Sequence, residues 1–284
     1  GEVMSICIVS PHLDDAVLSC GTLMQRMRSD GIPVVVANVF SKGTNSDNRQ
    51  AEEHRVLKVI GGQPVFLNEL DAPDRDPQFV TPDQIFFGAI DDVPNSFIDH
   101  VASRLKDLFE AHDIQTAYFP LGAGNHIDHR IVHAAGRKIK GTDVLFYEDR
   151  PYVLWPGILT GRFDTLKLGT DIPRADRGDM IETFGQFAYQ NLLPKGAFTD
   201  SALEKYISQI DRPETLNGHA NIAMSLTATE VEVKVIYEAL KEYDSQMPLI
   251  FPDFDIFKSN SFAHERFRSG EDIYCERYWK VREF

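Results

Sequence analysis

Between Met4 and Tyr147 the chain alternates short apolar runs with longer stretches of helical period, and few folds accommodate that rhythm. Met4 to Val9 is an unbroken apolar run with β-branched members, the pattern of a strand buried on both faces, and it stops at Ser10-Pro11. From Asp14 to Arg28, Val17, Leu18, Leu23, Met24 and Met27 recur at near-helical spacing. Asp14 and Asp15 stand in the first turn, where carboxylates suit the positive end of a helix dipole. Pro33 to Phe40 repeats the strand pattern, and Asn48 to Ile60 repeats the helix, ended by Gly61-Gly62. Further strands are expected at Pro64 to Leu67, Gln115 to Phe119 and Asp143 to Tyr147, and further helices at Asn95 to Ala111 and Ile127 to Ile139. Strand and helix alternating in this way imply an α/β fold, a mostly parallel sheet with helices on both faces.

Such a Rossmann-like sheet binds its ligands beyond the carboxyl ends of the strands. Functional residues are therefore expected at Ser10 to Asp15, Ser41 to Arg49, Asn68 to Asp71 and Pro120 to His129. Asp71 to Pro94, rich in Asp and Pro, reads as a long loop or insertion with a short helix near Ile85, and long ordered loops are usually functional. After Pro151 the pattern loosens, with helices expected at Asp176 to Leu193, Ser201 to Ile210 and Ala228 to Glu242. No repeat, low-complexity tract or linker interrupts the chain. The expectation is a single domain over 1–284, with a core at 1–150 and a helical and strand extension at 151–284 packed on it.

Two histidine–aspartate clusters fall at two of the expected strand ends. Pro11-His12-Leu13-Asp14-Asp15 follows the first strand, and His126-Ile127-Asp128-His129 follows the strand ending at Phe119. Zinc takes nitrogen and oxygen ligands, and a catalytic site keeps three from the protein and one position for water. His12, Asp15 and His129 offer such a set. Asp14 and His126 remain for proton transfer, and Asp128 stands near enough to fix the tautomer of a neighbouring histidine. The bland alternative is that these are cap residues, since an Asp pair at a helix start is ordinary capping and dipole chemistry. Two clusters at the two expected strand ends outweigh it.

Here the chain resembles a known family. Pro11 to Asp15, with Leu18 and Gly21 following, is similar to the Pro-His-Pro-Asp-Asp…Leu…Gly-Gly motif of the PIG-L/LmbE-like zinc-dependent N-acetylglucosaminyl deacetylases, and His126 to His129 to their His-x-Asp-His motif. Arg49-x-x-Glu52, Asp71, the segment Tyr147-Glu148-Asp149-x-Pro151-Tyr152 and Ser245-Gln246 resemble lesser family features. Leu13 stands in place of the second proline, Ala16 in place of an acidic residue, and Cys20-Gly21 in place of the Gly-Gly pair. The resemblance implies one Zn2+ per chain held by His12, Asp15 and His129, with Asp14 as general base. It implies an oxyanion-stabilising His126 oriented by Asp128, with Arg49 and Asp71 on sugar hydroxyls. The implied reaction is de-N-acetylation of an N-acetylglucosamine-type sugar or glycoconjugate. Another N-acyl substrate, such as a thiol conjugate or amino-sugar metabolite, is the nearest alternative, and a non-catalytic sugar- or metal-binding protein the next.

The remaining features narrow the class. The formal charge of −14 repels nucleic acid and anionic membranes, and no apolar stretch approaches bilayer length. Three cysteines without a Cys-x-x-Cys pair argue against a disulfide framework, and no charged-then-apolar leader opens the chain, so a cytoplasmic protein is expected. The substrate class is a small molecule, with no nucleic-acid or membrane partner, and a homo-oligomer is compatible with the sequence. A binuclear phosphatase lacks most of its metal motif here, and no Gly-x-Gly-x-x-Gly follows the first strand as a dinucleotide enzyme requires. Gly122-Ala123-Gly124 reads as a turn. His54, His100, His112, His133 and His219 read as surface or cap residues, with His133 one turn beyond His129 and so within reach of a supporting layer. Tyr152 and Trp155 fit a pocket lining or a core equally well.

Overall fold

The computed structural model describes residues 4–187, 200–210 and 213–284. In chain order the first half contains β1 (Ser5–Ser10), α1 (Asp15–Ser29), β2 (Val34–Asn38), α2 (Ser46–Ile60), β3 (Gln63–Phe66), the short helices α3 (Ala72–Arg75) and α4 (Pro82–Phe87), α5 (Asn95–Ala111), β4 (Ile114–Pro120), α6 (Ile127–Arg137) and β5 (Asp143–Tyr147). There follow α7 (Ile158–Thr165), β6 (Leu168–Gly169), α8 (Arg177–Phe187), α9 (Asp200–Ile207), β7 (Gly218–Thr227), α10 (Glu230–Leu240), α11 (Met247–Ile250), α12 (Phe254–Ser269) and β8 (Cys275–Glu283). The eight strands form one sheet in the order β3-β2-β1-β4-β5-β8-β7-β6. The first five are parallel, and β8 runs antiparallel to both β5 and β7. The part of the helix expected at Asp176 to Leu193 that falls on 188–193 lies outside the described residues.

Alternation along the parallel strands explains the two layers. Cys7 and Val9 of β1 and Val35 and Ala37 of β2 pack on one face with Val101 and Leu105 of α5 and Ile131 of α6. Ile6, Ile8, Val34 and Val36 face the other way, against Val17 and Leu23 of α1, Val56 of α2 and Ile236 of α10. The strand order reverses between β1 and β4, which are direct neighbours, so their carboxyl ends open one crevice. Both histidine–aspartate clusters emerge there.

The long antiparallel pair β7–β8 and the helix α12 were not evident from the sequence. β7 is exposed at most positions, so its apolar residues do not alternate cleanly. β8 mixes Tyr278 and Trp279 with Glu276, Arg277 and Lys280, and one of those charges is a built part of the interior. Glu276 is 2% exposed. It accepts from the backbone N–H of Thr22 at 2.7 Å and of Leu23 at 3.1 Å. Those donors are free because α1 kinks at Cys20 (φ −128°, ψ 21°). Gly21 in the kink lets α1 approach α10, since a Cβ there would stand 2.7 Å from Ile236 Cγ1. A strand from the extension thus completes the hydrogen bonding of the helix that carries Asp14 and Asp15.

Glu276→Ala leaves two buried N–H groups without acceptors and should destabilise the fold by about 2–4 kcal/mol. Glu276→Gln, which keeps an acceptor oxygen, should cost less. Urea unfolding at neutral pH compares the two, and coincident midpoints with the parent protein would show that the kink does not depend on Glu276.

Candidate active site

The turn after β1 is held from two sides. Ser10 Oγ donates to the His12 carbonyl at 2.5 Å and accepts from the Ala16 N–H at 3.0 Å. The Val39 and Phe40 N–H groups donate to the Ser10 and Pro11 carbonyls. Asp15 then opens α1, and Asp14 sits at its N-cap without using its side chain as a cap. The capping explanation therefore fails for Asp14, which is buried yet lines the cleft. The second cluster begins where β4 ends. Gly122 and Gly124 adopt positive φ (82° and 87°) in a turn, as read from the sequence, and a Cβ on Gly124 would stand 2.4 Å from the Tyr152 ring.

Both histidines of the expected ligand set are held from behind by carboxylates. His12 Nε2 lies 3.0 Å from Asp128 Oδ2, and His129 Nδ1 lies 2.7 Å from Asp149 Oδ2. An ionised carboxylate only accepts, so each imidazole carries its proton on that side. In their neutral form the opposite nitrogens, His12 Nδ1 and His129 Nε2, would offer lone pairs to an ion beside Asp15 Oδ2, which lies 3.3 Å and 3.2 Å away. His129 Nε2 is buried and has no hydrogen-bond partner. These three atoms lie within 4.8 Å of one another, and two imidazoles and a carboxylate suit a divalent ion such as zinc.

In the metal-free cluster protons take the place of the ion. Burial alone would lower the imidazoles, but hydrogen bonds to Asp128 and Asp15 carry His12 up to about 9, and the Asp15 charge with the Asp149 hydrogen bond carries His129 up to about 10. Burial opposes the Asp15 charge, yet His129 and His12 hold its carboxyl far below the usual range. Asp14 moves the other way, raised by burial and by Asp15 beside it. His126 is pushed well below its ordinary value by burial and by His12, so it is neutral. Its Nδ1 accepts the Asp128 backbone N–H at 3.2 Å, which leaves the proton on Nε2.

A cleft of about 350 Å³ covers the cluster. His12, Asp14, Asp15, His126 and Asp128 line it together with Arg49 and Asp71. Asp71 is half-buried with its carboxyl raised by desolvation, and its Oδ1 has no partner. Tyr152 joins the lining, whereas Trp155 is core.

Two expectations are corrected. Asp128 was expected to orient His126, but its carboxylate is turned to His12, to the Ala72 N–H at 3.0 Å and to Arg75 Nη2 at 2.7 Å. The reason is local: His126 is the N-cap of α6 and its ring nitrogen is engaged by the Asp128 backbone. His133 is not on the surface; it is 3% exposed, and its Nδ1 donates to the Pro120 carbonyl at 3.1 Å. The sequence reading gave no role to Asp149 or Arg75. Asp149 follows the end of β5, so the strand-end rule applied once more would have flagged it. No periodicity marks Arg75.

Comparison with known proteins bears on this site. The family model described as PIG-L: GlcNAc-PI de-N-acetylase matches residues 7–140. The 2'-N-acetylparomamine deacetylase of Streptomyces fradiae is 28% identical over 169 residues, which cover 51% of this chain and 56% of that protein. The chain thus spans little more than half the length of that relative. Among solved structures, the A40926 pseudoaglycone deacetylase Dbv21 superposes with a TM-score of 0.62 at 18% identity, covering 100% of this chain and 99% of that one. The zinc inhibited form of the teicoplanin deacetylase Orf2 gives 0.64 at 17%, covering 99% of both. At such identities these two establish the fold alone.

Because His12 and His129 hold protons well above pH 7 and a metal needs their lone pairs, zinc must displace those protons. Titrating zinc into the metal-free protein at pH 7 should release about one to two protons per chain, and affinity should rise from pH 6 to pH 9. A pH-independent affinity would contradict the cluster's electrostatics. Asp149→Asn removes the charge behind His129 and leaves one acceptor oxygen for His129 and the Gly122 and Ala123 N–H groups together, so it should weaken zinc binding by about 10- to 100-fold, measured by competition with a chromogenic chelator.

Proposed function

We propose, for a chain whose residues 7–140 match the PIG-L family model, that it hydrolyses the acetamide of an N-acetylated amino sugar or glycoconjugate, releasing acetate and the free amine. The observation that carries this reading is the convergence of His12 Nδ1, Asp15 Oδ2 and His129 Nε2 on one point, with the Asp14 carboxyl and His126 Nε2 beside it. The deacetylase named in the Streptomyces relative supports it, and two imidazoles with one carboxylate support zinc as the ion.

When bound by His12, Asp15 and His129, a zinc ion would polarise the acetamide carbonyl and bring the pKa of a water down to about 7. Asp14, its carboxyl raised by burial, takes the proton of the attacking water and later hands it to the departing amine. His126 directs its Nε2–H at the oxygen on which negative charge develops, and its neutrality makes it a donor without adding a competing charge. Asp128 and Asp149 keep the two ligand histidines in one tautomer and orientation. Arg49 and Asp71, on the cleft wall, bind sugar hydroxyls.

The extension belongs to the same working unit in this reading, because Gln246, Leu249 and Ile250 line the cleft and β8 pairs with β5. The three cysteines are free and buried, which fits a reducing compartment such as the cytoplasm. Among the described residues no helix is long and apolar enough to cross a membrane.

Asp14→Asn should retain zinc and lower turnover by about 100-fold or more, because it removes the base and leaves the ligands. Acetate release from N-acetylglucosamine and from an N-acetylated aminoglycoside measures this. Turnover equal to the parent would remove Asp14 from the mechanism. No release from either sugar, with zinc bound, would move the chain to another acyl substrate or to a binding role.

A further inference from the structure

His12 belongs to two candidate ligand sets. Besides His12, Asp15 and His129, the atoms of His12, His126 and Asp128 also come within 4.8 Å of one another. The second set lies on the Nε2 side of the His12 ring, 3.0 Å from Asp128 Oδ2. Two metal sets on one imidazole would give a binuclear centre unless something disarms one of them.

Arg75 stands at that point. Its Nη2 donates to Asp128 Oδ1 at 2.7 Å, with the two side chains 15% and 0% exposed. Its Nη1 donates to the Leu70 carbonyl at 2.8 Å. The guanidinium lies over the Phe40 ring at 4.7 Å and the Phe97 ring at 5.2 Å. It is thus fixed by hydrogen bonds and by two rings, and a guanidinium does not lose its proton. The other Asp128 oxygen accepts from the Ala72 N–H and from His12 Nε2. Both carboxylate oxygens are therefore taken by donors, and a fixed positive charge faces any cation that approaches them.

We propose that Arg75 limits the cluster to one divalent ion by keeping Asp128 a hydrogen-bond acceptor for His12 and withholding it as a metal ligand. The inference rests on the metallohydrolase reading and adds a determinant of stoichiometry that the reading does not contain. Arg75 is a positioning residue: it acts on the ion through Asp128 and His12. Without it, Asp128 Oδ1 is released and stands with His126 Nε2 as a pair of ligand atoms next to the first ion, while His12 and Ala72 remain on Oδ2. A purely structural role predicts something else, weaker binding of the first ion and no second site.

The test is isothermal titration of zinc into the metal-free protein and its variants. The parent protein should saturate at one ion per chain. Arg75→Met should take up a second ion at higher free zinc, and that second site should vanish in the double variant Arg75→Met/His126→Ala. If circular dichroism shows that Arg75→Met does not fold, Arg75→Gln carries the comparison, since it keeps a donor for the Leu70 carbonyl without the charge. Saturation of the folded neutral variant at one ion, or of the parent at two, overturns the proposal and leaves the deacetylase reading standing. A parent protein that binds no zinc overturns both.

Discussion

Two carboxylates behind two histidines fix the geometry on which the rest of the cleft depends. Asp128 and Asp149 are both fully buried, and burying an ionised carboxylate is costly unless each oxygen is engaged. Each divides its oxygens between two tasks. Asp149 Oδ2 orients His129 while Oδ1 accepts the Gly122 and Ala123 N–H groups, so the carboxylate that positions a ligand also shapes the loop leading to His126. Asp128 orients His12 with one oxygen and anchors the insertion after β3 with both. Removing either changes a loop and a ligand together, and so costs more than one hydrogen bond.

The extension is joined to this arrangement through buried acids. Glu276 from β8 enters the kink of α1. Glu52 of α2 accepts from the Ser245 N–H at 2.9 Å and from its Oγ at 2.6 Å, which places Gln246 and α11 at the cleft. Glu148, next to Asp149, accepts from Arg268 of α12 at 2.6 Å and from Trp279 Nε1 of β8 at 2.9 Å. A buried acid is weak evidence for stability even when its oxygens are engaged, because desolvation offsets much of the attraction. Their effect here is directional: each acid admits one placement of its partner, so three points tie the extension to α1, α2 and the end of β5.

The parallel half of the molecule was legible because its signals are local. Strands such as Pro33 to Phe40 are buried on both faces and read as continuous apolar runs, and α5 was expected and found at Asn95–Ala111. The two clusters were legible because the strand-end rule converts sequence position into spatial position. What stayed hidden depends on partners distant in sequence. The charge on Glu276 reads as solvent-facing until the kink at Cys20 is seen, and α12 holds buried Glu265 and His264 on a helix of otherwise mixed pattern. The partner of Asp128 was hidden for a similar reason: the resemblance implied His126, whereas the side chain crosses to a residue 116 positions away.

The insertion between β3 and α5 shows why a loop this long is retained at a site this small. Its first residues place Asp71 on the cleft wall and deliver the Ala72 N–H and Arg75 to Asp128. A short loop could not do both, because the chain must turn over the carboxyl end of β2, where Phe40 and then Phe97 of α5 receive the guanidinium. The rest of the insertion holds that turn in place. Thr81 and Gln84 form a capping box at α4, and Phe79 and Phe86 are buried at 1% and 6% exposure. Phe86 sets its ring edge-on to His126 with centroids 5.3 Å apart. The same segment therefore supports His12 through Asp128 and confines His126 through Phe86, so the two motifs are held in register by residues that belong to neither.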